Sequence, residues 1–165
     1  MCTETAERLL SEIDFAAVCG NAGEISTLAS MSAEMRGVES IGGDAASAVM
    51  KAARVLGVTV AATEATDYVS DGERLLASEN GHPLMGRIVA SGCASTAVVG
   101  CFAAAVGRAG AGTVASALSY FGRAGEVAAG RSDGPGTFEP CFLDALVGDP
   151  SRLDGMLEMR EIAVG

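Results

Sequence analysis

Residues 86 to 97 read Gly-Arg-Ile-Val-Ala-Ser-Gly-Cys-Ala-Ser-Thr-Ala, an apolar stretch that breaks at small residues and runs straight into a helical pattern. We expect a short strand over Ile88 to Ala90 and a helix from Cys93. The first amides of a helix lack internal partners and point at whatever anion lies in front of them. Ala90, Ser91 and Gly92 thereby offer an anion-binding backbone, and Cys93 adds a thiol at a helix start, an environment that favours the thiolate. The same thiol also suits the inert packing of a small buried side chain. Asn21 and Glu24 stand three residues apart after another predicted strand. The pair can hold the water shell of a magnesium ion, which keeps most of its waters and takes one or two carboxylates plus substrate phosphates. It can equally close a helix cap. Thr63 follows a third strand and can reach a nucleotide phosphate or a local backbone group. A cysteine-nucleophile enzyme would need Cys93 paired with the single histidine, His82, and nothing specific supplies a third orienting residue. No Gly-Lys-Ser/Thr triplet marks a phosphate loop of the Walker type, so phosphate handling would use helix amides and a metal.

The elements that must position these groups alternate. Thr3 to Glu12 has helical spacing, with Ala6, Leu9, Leu10 and Ile13 on one side. Phe15 to Cys19 reads as a buried strand, and a helix runs from about Ala22 to Ser30. Met35 to Gly43 reads as a glycine-rich loop. Asp44 caps a helix that Gly57 stops. Val58 to Ala62 is a β-branched strand, and an Asp71-Gly72 turn joins Asp67–Ser70 to Arg74–Ala77 as a hairpin. Further helices are expected over Cys93 to Val106, over Gly112 to Gly130, from near Phe138, and in a short acidic stretch after Pro150. Strands alternating with helices predict an α/β layer architecture with a mostly parallel sheet. In such sheets ligands sit beyond the carboxyl ends of the strands, where all three candidate groups fall.

The chain has 165 residues, enough to bury a core as a single domain over 1–165 without disulfides or a structural metal. Its five cysteines are odd in number and include no Cys-x-x-Cys pair. That pattern points to a reducing, cytoplasmic setting. The start of the chain has no secretory pattern. With 21 acidic and 11 basic residues, the net charge of -10 opposes binding to nucleic acid or anionic membranes. Ile88 to Gly107 is uncharged and long enough to cross a bilayer. Its alanine, glycine, serine and threonine content, and its division into strand-like and helix-like halves, favour a buried core segment instead.

Six blocks, in order, resemble the hydroxyethylthiazole kinases of thiamine salvage, members of the ribokinase-like group. They are Val18-Cys19-Gly20-Asn21-Ala22-Gly23-Glu24-Ile25, Arg36-Gly37-Val38-Glu39-Ser40, Thr63 with Asp67 to Gly72, Asn80-Gly81-His82-Pro83-Leu84-Met85, Ala90-Ser91-Gly92-Cys93, and Gly134 to Phe138 with Leu143 to Leu146. The resemblance implies a ribokinase-like sheet with flanking helices, truncated at the amino end. The chain would correspond to the carboxyl-terminal, ATP-binding part, and the first strands and most of the thiazole pocket would lie in a preceding segment.

The activity so implied is transfer of the ATP γ-phosphate to the alcohol of 4-methyl-5-(2-hydroxyethyl)thiazole, assisted by magnesium. Glu24, with Asn21, would belong to the magnesium and phosphate site, and Thr63 would contact ATP. Ala90 to Gly92 would form the anion hole. Cys93 stands where ribokinase-like sugar kinases carry a catalytic aspartate, in an orienting and proton-accepting role. Positioning and charge stabilisation carry most of a loose phosphoryl transfer, so a weak base suffices there. Cys19 falls on the family's ATP-contacting arginine, and Ala90 on the first glycine of its anion hole. The family is trimeric, which implies a homo-oligomer, or else a complementary amino-terminal half to cover the sheet. The alternative is a catalytically inactive fragment that binds a nucleotide or a partner.

Overall fold

The computed structural model describes residues 2–35, 44–148 and 157–163. Helix α1 (Cys2–Glu12) leads to strand β1 (Ala17–Gly20), then α2 (Ala22–Met35), α3 (Ala45–Leu56) and β2 (Thr59–Ala62). β3 (Asp67–Ser70) and β4 (Leu75–Ser78) form the hairpin. A one-turn 3-10 helix (Pro83–Arg87) precedes α4 (Ser91–Val106), α5 (Ala111–Ala129), α6 (Pro135–Leu146) and β5 (Met159–Ile162). The expected loop loses Met35 to α2, and its remainder, 36–43, lies outside the described residues, as does the acidic helix expected after Pro150.

Among the described residues the five strands lie in sequence order, and only the β1–β2 pair is parallel. The α/β layering is therefore as expected, but the sheet is mixed instead of mostly parallel. Two local causes account for this. The Asp71 carboxylate accepts from the amides of Glu73 and Arg74 at 3.1 and 2.9 Å, closing a tight turn that makes β3 and β4 antiparallel. The strand expected over Ile88 to Ala90 does not form. Pro83 starts a 3-10 turn with His82 as its cap, and Ala90 takes a left-handed conformation, with φ 64°, directly before α4. Val89 is left 96% exposed.

β4 is covered at the edge by β5, which carries the charged pattern Met-Arg-Glu-Ile and pairs antiparallel with it. Arg74 meets Glu161 and Arg160 meets Glu79 across this edge, exposed pairs that contribute little to stability but match the strands in charge.

Alternation along the buried strands splits the core into two layers. Val60 and Ala62 face α2 and α3 through Ile25, Val49 and Met50, while Ala61, Val69 and Leu76 face α5 through Val114 and Leu118. A third cluster, built on Phe121, Phe138 and Phe142, joins α5 to α6 and lies beneath Leu84 and Met85 of the 3-10 turn. α3 ends as its sequence dictates, with Asp44 accepting from the Ser47 amide at 2.9 Å and Gly57 at φ 72°.

Candidate functional site

The parallel pair delivers the first site residues to one end of the sheet. Gly20 closes β1 and Thr63 follows β2. The Thr63 amide donates to the Gly20 carbonyl at 2.9 Å, and its hydroxyl reaches the same oxygen at 3.4 Å. A long, shared bond of this kind leaves the hydroxyl free to turn toward a ligand. At the start of α2, the Asn21 amide donates to Glu24 Oε2 and the Glu24 amide to Asn21 Oδ1, both at 2.9 Å. The pair is thus a reciprocal capping box. A Cβ on residue 20 would stand 2.9 Å from Glu24 Oε2, so glycine there lets the carboxylate fold over the end of β1. Only one oxygen of that carboxylate is used by the cap, and Oε1 remains for a water-bound cation.

Beside Thr63 opens a cleft of about 530 Å³. It joins Thr63, Asp67 and the Asn80–Gly86 loop to Ser91, Gly92 and Ser95 at the start of α4, with Leu118 and Phe121 of α5 forming an apolar wall. No side chain caps α4. Ser95 and Thr96 instead both donate to the Gly92 carbonyl, at 2.8 and 3.0 Å, fixing the first turn while its leading amides face outward. Ala90, in the left-handed region, turns the chain so that Ser91 and Gly92 enter the cleft wall. Cys93 sits on the same first turn and is exposed.

The structure therefore brings Thr63, Ser91 and Gly92 into one cavity. It places Asn21 and Glu24 on α2 beside the strand that ends next to Thr63, and Ala90 and Cys93 on the turn that forms the cavity's rim. Cys19 does not itself line the cavity and is partly buried in β1, packed against the layer under α5. Burial pushes its thiol up to about 11, against a hydrogen bond with Thr96 that lowers it, and Asp67 nearby adds to the rise. A neutral thiol cannot replace a bidentate guanidinium on phosphate.

Two features of the cleft were not singled out from the sequence. Asp67 holds the Thr63–Thr66 loop by accepting from the Glu64 amide at 3.0 Å, and burial raises its carboxyl to about 7, only partly offset by that bond. Asn80 is buried and anchors the loop that carries His82. Its Nδ2 donates to Glu126 Oε1 at 3.1 Å, and its Oδ1 accepts from the Glu158 amide at 2.7 Å. Burial alone would raise the Glu126 carboxyl, but Arg123, the Gly81 amide and Asn80 together hold it below its ordinary value. The signals were present as an Asx-type turn and an Asn-Gly dipeptide, types that serve loops far more often than sites. Among the described residues no group of three or more acidic, histidine or cysteine side chains gathers to hold a metal ion. A magnesium ion here would depend on the Glu24 carboxylate, waters and the phosphates themselves. No helix of the described residues is long and apolar enough to cross a membrane, and Ile88 to Ala90 stand outside α4.

The hydroxyethylthiazole kinase family profile matches residues 1–148. A hydroxyethylthiazole kinase of Rubrobacter xylanophilus is 65% identical over 99% of this chain and 62% of its own length. One of Methanocella arvoryzae is 44% identical over 87% of this chain and 54% of its own. The solved structure of a hydroxyethylthiazole kinase protein from Pyrococcus horikoshii superposes with a TM-score of 0.82 at 34% identity, covering 98% of this chain and 60% of that one. The chain thus spans between half and two thirds of the length of these relatives, and the superposition gives it their α/β, ribokinase-like fold. On these matches, the chain belongs to the hydroxyethylthiazole kinase family.

Proposed function

We propose that the chain is the nucleotide-binding part of an ATP-dependent kinase that phosphorylates the hydroxyethyl group of 4-methyl-5-(2-hydroxyethyl)thiazole. The observation that carries this reading is the single cleft in which Thr63 faces the uncapped first turn of α4. In a loose transition state the transferred group spreads negative charge over its oxygens, and fixed backbone amides stabilise that charge without reorganising. The amides of Ser91, Gly92 and Cys93 hold the transferring phosphoryl group, and the Thr63 hydroxyl positions the nucleotide phosphates. The exposed Cys93 sulfur orients the substrate alcohol and, as the thiolate, takes its proton to become the thiol, without forming a phosphocysteine. Glu24, its carboxylate held by the Asn21 amide, would hold magnesium through water, and the bound ion would supply neutralisation of phosphate charge. Cys19, neutral and partly buried, takes no part in this reading.

The reading treats residues 1–165 as one domain in a reducing, cytoplasmic setting, covered by further copies of itself or by a complementary amino-terminal segment. The exposed apolar positions Val89 and Val106, at either end of the uncharged α4, support such a covering. The test is phosphorylation of the thiazole alcohol by this chain combined with the part of the Rubrobacter relative that lies outside the matched span. Product formation that Cys93→Ala slows by 10²-fold or more supports the reading. A combined protein that binds Mg-ATP but leaves the thiazole alcohol unmodified rejects the substrate.

A further inference from the structure

We propose that His82 is a nucleotide-binding residue of this cleft, its Nε2–H donating to a phosphate oxygen of the bound nucleotide. The inference rests on the nucleotide reading above and adds a side chain that reading does not use. His82 lines the same cavity as Thr63, Ser91 and Gly92. Its Nδ1 accepts from the Leu84 amide at 3.2 Å, which requires the neutral ring to carry its proton on Nε2. Among the described residues nothing bonds to Nε2, so the cap leaves one fixed donor on the cavity wall.

The loop beneath this ring is unusually well secured for an exposed turn. Asn80 and the Gly81 amide both reach Glu126 on α5, and the His82 amide donates to Met85 Sδ at 3.4 Å. A Cβ at Gly122 would overlap the Asn80 carbonyl, and one at Gly125 would overlap Met85. Two glycines on α5 thus form a notch into which the loop sinks. A rigid donor loses little freedom when a ligand arrives, which makes its hydrogen bond to a charged acceptor more effective.

Two substitutions separate the two ring nitrogens. Asparagine at 82 keeps an acceptor near Nδ1, and with it the cap, but lacks the distant donor. Glutamine keeps a donor near Nε2 but loses the cap. Calorimetric titration with Mg-ATP should show His82→Asn binding at least tenfold more weakly at an unchanged melting temperature. His82→Gln should keep affinity within about threefold of the parent while melting at a lower temperature. Equal affinity for His82→Asn and the parent would overturn the inference while leaving the nucleotide reading intact, as would a His82→Gln variant as weak as His82→Asn. A folded parent chain that binds no Mg-ATP would overturn the nucleotide reading itself.

Discussion

Replacing Asp67 by asparagine should flatten the acid side of the stability profile. The Asp67 carboxyl is raised from 3.8 to about 7, chiefly by burial, against the hydrogen bond from the Glu64 amide. Between those two values the folded chain keeps a proton that the unfolded chain has released. Stability from this group is therefore fully present below pH 3.8 and is lost as pH rises toward 7. Roughly three units at about 1.4 kcal/mol each set an upper bound of about 4 kcal/mol. The carboxyl borders an open cleft, and water there reduces the effect to about 2 kcal/mol. Asparagine preserves the acceptor for the Glu64 amide, so the turn should survive and only the titration disappear. Urea unfolding at pH 5 and pH 8 measures the difference directly. About two of those three units lie above pH 5, so the parent should lose about 1.3 kcal/mol more than Asp67→Asn between the two conditions. Parallel losses in the two proteins would show that Asp67 does not hold its proton in the folded state, and would refute the burial argument.

The notch and the turns give three further expectations. Gly122→Ala should destabilise by about 2 kcal/mol or more in denaturant unfolding, because backbone atoms of Asn80 occupy the space and cannot rotate away. Ala90→Gly should stabilise by about 0.5 kcal/mol, the relief of a left-handed alanine exceeding the added chain entropy of glycine. A loss of stability there would mean that the Ala90 methyl has favourable contacts outweighing its strain. Glu24→Gln keeps an acceptor for the Asn21 amide, so the melting temperature should hold while Mg-ATP affinity falls about tenfold. If stability falls and affinity does not, Glu24 serves the cap alone.

Much of the frame could be read from local chemistry. The Asp44 cap, the Gly57 stop and the Asp71-Gly72 turn lie where their side chains dictate, since each satisfies backbone groups within a few residues. What the sequence concealed depended on distant partners. Ile88-Val89-Ala90 has strand composition, yet the turn that Pro83 begins, and the left-handed Ala90, leave it no room to pair. β5 escaped notice because its Arg160 and Glu161 look like a solvated helix face until Glu79 and Arg74 stand opposite them.

The site was legible in a similar, uneven way. Thr63, Ser91 and Gly92 converge because strand ends and helix starts are local signals. Asp67 turns toward Glu64 through a local bond, but its burial depends on the folded surroundings, and Asn80 is held in place by Glu126 on α5, far along the chain. The Asn21–Glu24 pair took the form of a cap, which three-residue spacing allows as readily as a cation site.

Isothermal titration of the folded chain with Mg-ATP tests the central claim most directly, that the cleft between Thr63 and the start of α4 is a nucleotide site. The account predicts saturable one-to-one binding that Gly92→Asp, which sets a carboxylate before the α4 amides, weakens by at least tenfold. No heat at millimolar nucleotide from demonstrably folded protein, or binding indifferent to Gly92→Asp, would contradict it.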